Sequence, residues 1–430
     1  MTSPASPSRS NRPSLGKNAL GRSNSYLDDH LEYRSHQSGP VTSIDGILEQ
    51  PARSPRNTMS STSLASRKSV SAISPSPIVS QEKIVEGSAP TTSISEYPLE
   101  PPAPEPEPLD HLYGAYISQL CLTHFLSTLD SLLIHNKPDE RRLTSSHRCL
   151  SPDPSKPRVV EVTFTPPPNP EYLPFELISK HESIYKFERE WNCEVVLQPS
   201  TVFRRYKRLC VFDMDSTLIQ QEVIDEIAAF IGVKKAVAAI TERAMNGELD
   251  FAASLKARVA LLKGVPADVF EHLKPKIVIT PGAKELCKCL KRLGFTLVVA
   301  SGGFQPLADW LAGELGLDHA FANHLVVDAE KNELTGELNP DFPIVDSQHK
   351  RQLLISLASN KDIPLAQTMA VGDGANDIPM LKTAGLGVAW NAKSKVQMEA
   401  PARLNIGKSM LDLVYLLGLT EQEVEELLRD

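Results

Sequence analysis

Leu209-Cys210-Val211-Phe212-Asp213-Met214-Asp215-Ser216-Thr217-Leu218 decides how this chain is read. Apolar strand formers run into a carboxylate, a second carboxylate follows two positions later, and two hydroxyls come next. A short apolar run with β-branched and aromatic residues reads as a parallel strand buried on both faces. Ligands in open α/β sheets bind beyond the carboxyl ends of such strands, which places Asp213 and Asp215 at the mouth of a site. Two charged groups at a buried strand end are costly unless a cation or partner compensates them. A bound divalent metal beside reactive carboxylates is the economical explanation.

Two further stretches end in the same manner. Phe295-Thr296-Leu297-Val298-Val299-Ala300 runs into Ser301-Gly302-Gly303, and Thr368-Met369-Ala370-Val371 runs into Gly372-Asp373-Gly374-Ala375-Asn376-Asp377. Helical patterns lie around them: Gly282 to Leu293, then on to about Leu315, His349 to Leu357 with Lys350 at its start, and Pro379 to Ala384. A short strand follows at Gly387–Trp390, and Phe321–Val327 with Glu333–Leu338 reads as a hairpin. Strands alternating with helices imply a doubly wound parallel sheet in an α/β fold. Residues 219 to about 280 form successive helices without a β-run. They read as a helical cap inserted after the first core strand, lying over the strand ends.

Each signal by itself is modest, since Asp-x-Asp pairs and Gly-Asp-Gly turns are common in loops. Their joint appearance in this order resembles the four motifs of the haloacid dehalogenase superfamily of phosphotransferases. Glu222, Asp225-Glu226-Ile227, Ser254 to Val259 and Ser301-Gly302-Gly303-Phe304 sharpen the resemblance to its phosphoserine phosphatase branch. The resemblance covers about Arg204 to Leu404 and implies a Rossmann-like core. It implies hydrolysis of O-phospho-L-serine to L-serine and phosphate through an aspartyl-phosphate, the last step of L-serine biosynthesis. Asp213 would be the nucleophile and Asp215 the general acid and base, with Lys350 beside them. The implied cofactor is Mg²⁺, held by the Asp213 carboxylate, the Asp215 backbone carbonyl and Asp373. Asn376 and Asp377 would support the ion. Ser301, Gly302, Lys350 and Asn376 would bind substrate at its phosphoryl end. Glu222 would receive the ammonium and Arg258 the carboxylate of the serine, with Met245 and Phe251 as an apolar wall. Two alternatives are a phosphatase of this fold for another small phosphomonoester, and a catalytically silent scaffolding protein. The charges at Glu222 and Arg258 argue against the first, and the intact Asp213, Asp215, Lys350 and Asp373 against the second.

The remainder of the chain sets the boundaries. Residues 1–108 are rich in Ser and Pro and end in Leu99-Glu100-Pro101-Pro102-Ala103-Pro104-Glu105-Pro106-Glu107-Pro108. Such a segment buries too little apolar surface to offset its ordering entropy and reads as a disordered tail. Arg22-Ser23-Asn24-Ser25 and Arg67-Lys68-Ser69 within it resemble basophilic kinase sites. Residues 109–203 read as a small α+β region before a core of 204–430. A helix is expected over Leu109–Leu133, then a polar break from His135 to Pro157. A βαβ-like unit follows, with strands at Val159–Phe164 and Cys193–Leu197 around a helix at Pro174–Trp191. This unit has a partial likeness to an ACT-type ligand-binding domain, without the length or loop glycine of a full copy.

The net charge of −8 gives no general nucleic-acid footprint. No apolar run approaches a membrane span. The basic, serine-rich start has the composition of a transit peptide, but Pro4, Pro7 and Pro13 oppose the amphipathic helix such peptides need, so the expected location is cytoplasmic. Six cysteines without paired spacing suit a reducing compartment. The expected partners are the small-molecule substrate, a second copy in a homodimer and unidentified partners of the tail, with no nucleic acid and no membrane.

Overall fold

The structure is a computed structural model, and it describes residues 115–133, 143–245 and 249–429. The tail before residue 109, with its kinase-like motifs, lies outside the described residues. So does part of the expected polar break, at residues 134–142.

The first described element is the helix Gln119–Leu133, which buries Cys121, Leu122, Phe125, Leu129 and Leu132. Of the stretch expected to be helical, residues 115–118 are not, and residues 109–114 lie outside the described residues. Strand β1, Thr144–Cys149, then pairs antiparallel with β2, Val160–Thr165. The polar break therefore contains a strand. Thr144-Ser145-Ser146-His147-Arg148-Cys149 has no apolar alternation to announce it, and its register against β2 supplies the pairing. The helix expected over Pro174–Trp191 is two helices, Phe175–Ile178 and Glu182–Trp191. His181 separates them: its ring Nδ1 accepts the Ser183 amide at 3.1 Å and caps the second.

Cys193–Leu197 is a correction as well. It is not in a ladder, so this region is a hairpin with helices and not a βαβ unit. Side chains hold the segment in place instead. The Val195 amide donates to Glu188 at 2.7 Å. The Glu194 carboxylate in turn accepts the amides of Asn405 and Ile406 at 2.7 and 3.0 Å. A buried ion pair between Glu188 and Arg403 joins the region to the rest of the chain.

The main sheet begins at β3, Leu209–Phe212, and every residue of it is buried. Leu209 and Val211 pack into the core on one face, Cys210 and Phe212 into the larger core on the other. That two-sided burial is why the run is continuously apolar. β3 lies between β4, Thr296–Phe304, and β8, Thr368–Gly372, parallel to both. Beyond β4 lies β5, His319–Asn323, and beyond β8 lie β9, Gly387–Trp390, and β10, Ala402–Leu404. The order β10-β9-β8-β3-β4-β5 gives the doubly wound parallel sheet that the pattern implied. The edge strand β10 carries only three residues and had no legible run. The expected hairpin from Phe321 is divided. Its first part is β5 of the main sheet, and β6, Leu325–Asp328, pairs with β7, Glu333–Leu338, outside it.

Among the described residues between Ile219 and Ile279 lie four helices, Val223–Phe230, Lys234–Met245, Phe251–Ala260 and Val269–Leu273, with a short turn at Lys274–Lys276, and a fifth helix, Ala283–Arg292, leads on to β4. The chain leaves and re-enters the core side by side. Ile219 bridges Ile279, the Gln220 amide donates to the Val278 carbonyl at 2.9 Å, and the Thr280 amide to Leu218 at 2.9 Å. These bonds bound the inserted cap. At its far side, Gly264 donates to Leu334 at 2.8 Å and Leu334 to Val265 at 2.7 Å. The β6–β7 hairpin thus braces the cap through main-chain hydrogen bonds. Among the described residues no helix is long and apolar enough to cross a membrane.

Candidate active site

Asp213 follows the last residue of β3, and its amide still donates to Val371 of β8 at 2.9 Å. The chain then turns sharply through Met214–Leu218, where Ser216 takes a left-handed conformation with φ of 54°. The turn aims the Asp213 and Asp215 carboxylates away from the sheet. Asp213 Oδ1 accepts the Met214 amide at 2.7 Å and forms an ion pair with Lys350 Nζ at 2.7 Å. Lys350 belongs to the helix Ser347–Asn360, whose first turn Asp346 caps by accepting the His349 amide at 2.8 Å. Its ammonium is fully buried and also pairs with Asp377 at 2.8 Å. Burial by itself would lower the Lys350 pKa, but Asp213 and Asp377 more than offset it and the pKa rises.

The turn after β8 supplies the facing carboxylates. Oxygens of Asp213, Asp373 and Asp377 all lie within 4.8 Å of one another. Burial, with Asp213 next in weight, pushes the Asp373 carboxyl up to about 7. Asp377 is raised for the same two reasons. Three carboxylates face one ammonium here. The excess negative charge and the hard oxygen donors suit a hard divalent cation. The geometry gathers the Asp377 carboxylate into this group, where the sequence pattern had kept it behind Asp373. The Asp215 carboxylate stands apart. Its Oδ1 is buried and has no hydrogen-bond partner, and burial followed by Glu222 and Asp213 raises its pKa well above the usual range. A carboxyl in that condition can carry a proton.

A model of the haloacid dehalogenase-like hydrolases matches residues 207–385. The chain is 50% identical over 228 residues to a probable phosphoserine phosphatase of Schizosaccharomyces pombe, covering 53% of this chain and 76% of that one. It is 48% identical over 234 residues to a phosphoserine phosphatase of Saccharomyces cerevisiae, covering 54% of this chain and 74% of that one. The crystal structure of a probable phosphoserine phosphatase from Vibrio cholerae, in unliganded form, superposes with a TM-score of 0.54 at 31% identity. That match covers 73% of this chain and 87% of the other. The chain belongs to the haloacid dehalogenase-like hydrolases.

Hydrolases of this family generally use a metal, and the acidic group at Asp213, Asp373 and Asp377 is where this one can hold it. The other expected site residues of this haloacid dehalogenase-like hydrolase surround that group. Ser301 is fully buried, and its Oγ accepts the Gly303 amide at 2.8 Å. Gly302 leaves no room for a side chain that does not press on the cap, because a Cβ there would lie 3.3 Å from the Phe251 ring. Phe251, at the start of a cap helix, therefore reaches across to the C-terminal end of β4. Asn376 folds over Gly374, where an added Cβ would come within 2.1 Å of its Oδ1.

Glu222 precedes the first cap helix, and its Oε1 accepts the Ser216 hydroxyl at 2.8 Å. The residue as a whole is open to solvent. Its carboxylate nevertheless faces inward, and loss of surrounding water raises its pKa. Arg258 is half-buried. Its Nε donates to the Ser254 carbonyl at 3.4 Å, and no carboxylate among the described residues comes within ion-pair distance. Burial lowers its pKa while Glu222, Asp225 and Asp215 act against that fall. A basic fork and an acidic group thus lie close enough to influence each other without forming a direct pair. Met245 ends a cap helix, and its side chain lies outside the described residues.

The pattern of residues did not disclose Thr217 and Thr280. The Thr217 hydroxyl donates to Asp373 Oδ1 at 2.9 Å, and the Thr280 hydroxyl donates to the Thr217 carbonyl at 2.6 Å. Thr217 sits two residues after Asp215, which marks it as near the site. Thr280 lies 63 positions further on with nothing local to signal it.

Proposed function

We propose that this chain is a Mg²⁺-dependent phosphoserine phosphatase that hydrolyses O-phospho-L-serine to L-serine and inorganic phosphate. The observation that carries the reading is the meeting of Asp213 and Asp373, at the ends of adjacent strands, with Lys350 from the helix Ser347–Asn360, beside the unpartnered buried Oδ1 of Asp215. The names of the relatives from two yeasts point to the same substrate.

In the first half-reaction an Asp213 oxygen attacks phosphorus. The bond from phosphorus to the seryl oxygen breaks, and Asp215 gives its proton to the departing oxygen. In the second half, a water oxygen attacks the phosphorus of the aspartyl-phosphate while Asp215 takes its proton back. The bond to Asp213 then breaks and phosphate is released. Lys350 and Ser301, with main-chain amides near Met214 and Gly302, offset the charge moving over the phosphoryl oxygens. Asp213, Asp373 and the Asp215 carbonyl would hold Mg²⁺, with Asp377 next to them. The ion supplies positive charge that makes the phosphorus open to an anionic nucleophile.

Glu222 and Arg258 select the amino acid, taking its ammonium and its carboxylate. Phe251 closes over the substrate from the cap. The cap shields the aspartyl-phosphate until serine has left, and its movement admits water afterwards. The enzyme works in the cytoplasm. Phosphate release from L-phosphoserine, measured with and without Mg²⁺ on wild type and Asp213→Asn, tests the whole reading. Release that persists in Asp213→Asn, or that ignores Mg²⁺ after chelation, rejects it.

A further inference from the structure

Asn323 is the last residue of β5 and lies outside every motif that marks the site. It is 1% exposed, so its amide must find partners within the protein. Its Nδ2 donates to the Gly302 carbonyl at 2.9 Å and to the Gly303 carbonyl at 3.2 Å. Its Oδ1 accepts the Val345 amide at 2.9 Å. One side chain therefore holds two separate segments.

The first segment is the end of β4 after Ser301. The pairing of β4 with β5 slips between Ala300 and Phe304, so the ladder does not hold this stretch in the regular way. The Gly303 amide is committed to the Ser301 hydroxyl. The carbonyls of Gly302 and Gly303 are committed to Asn323. The second segment is the entry to the Lys350 helix. Val345 immediately precedes Asp346, which caps that helix, and the Lys350 amide donates to the Asp346 carbonyl at 2.9 Å.

We infer that Asn323 is a positioning residue that sets Ser301 and Lys350 at the spacing a phosphoryl group requires. The inference rests on the reading of this site as a phosphoryl-transfer centre. An amide suits the task because it donates on one side and accepts on the other. Aspartate in its place keeps the acceptor for Val345 and turns a second acceptor toward two carbonyls. Asn323 touches neither Glu222 nor Arg258, so the grip on the amino-acid end is independent of it.

Binding of orthovanadate, a phosphoryl mimic, and of L-serine is measured by calorimetry on the full chain with Mg²⁺, for wild type and Asn323→Asp. Should Asn323→Asp not accumulate as folded protein, Asn323→Ser is measured in its place, since the hydroxyl retains one donor. Misplacement of the reacting groups by even an ångström costs on the order of 100-fold in such sites. The expected result is vanadate binding weakened by about tenfold or more with serine affinity kept within about twofold. Unchanged vanadate binding, or an equal loss for both ligands, overturns the inference. Wild-type protein that binds no vanadate rejects the phosphoryl-transfer reading instead.

Discussion

Asp213 and Asp215 are two positions apart in one turn, and their surroundings assign them different chemistry. Asp213 is paired with Lys350 and bonded to the Met214 amide, while Asp215 has a buried, unpartnered oxygen. Replacing Asp213 by Asn removes the attacking oxygen with little change in shape. Phosphate release should fall by about 10³-fold or more, measured under saturating substrate. Thr217→Val removes the hydroxyl that orients Asp373. Outer partners of this kind are worth about 10- to 100-fold in metal affinity, so the Mg²⁺ concentration for half-maximal rate should rise by about that factor. Arg258→Ala should raise KM for L-phosphoserine by about tenfold or more, as expected for loss of a charge-assisted pair. KM for O-phosphoethanolamine, which lacks the carboxylate, should change little. Equal losses on both substrates would remove Arg258 from the carboxylate role. At this scale Asp213, Asp215, Ser301, Lys350 and Asp373 were legible because each follows an apolar run or begins a helix. Thr280 and Asn323 were not, since a buried polar residue far away in sequence carries no local mark of its partner.

Individual elements show where local patterns stop being informative. β3 and β8 are buried on both faces and announce themselves by continuous apolar runs. β1 and β10 lack such runs and exist because a neighbour supplies the ladder. Cys193–Leu197 has the composition of a strand, yet Glu194 binds its main-chain partners through a carboxylate instead. The docking of this segment has a pH signature. Burial pushes the Glu188 carboxyl up to about 7 in spite of Arg403. A folded pKa above the unfolded value of about 4.5 means that the folded state binds the extra proton between those limits. Its contribution to stability is complete below about pH 4.5 and lost as pH rises through 7. Denaturant titrations from pH 5 to 8 should show wild type losing up to about 3 kcal/mol relative to Glu188→Gln. Parallel pH slopes for the two proteins would remove Glu188 as the source.

The whole molecule joins two rigid ideas, a parallel sheet that fixes the carboxylates and an inserted cap that carries Glu222, Arg258 and Phe251. The cap is bounded by the Ile219–Ile279 bridge and braced by the β6–β7 hairpin at Gly264 and Val265. Buried carboxylates that repel one another oppose folding until a cation offsets them. Adding Mg²⁺ should therefore raise the thermal midpoint of wild type, by several degrees at a hundredfold excess over Kd. Asp373→Asn should abolish most of that increase. A midpoint that ignores Mg²⁺ would argue that the acidic group holds no ion.

The amino-acid sequence by itself determined the parallel core, the inserted helical cap and the acidic strand ends, because burial on two faces and helical periodicity are local properties of a chain. Only the tertiary structure decided that Asp377 stands with Asp213 and Asp373, that Glu194 takes the place of a strand partner, and that Asn323 ties two segments together. Each of these is a meeting of polar groups distant in sequence, and its energy exists only once the fold has excluded water from both partners.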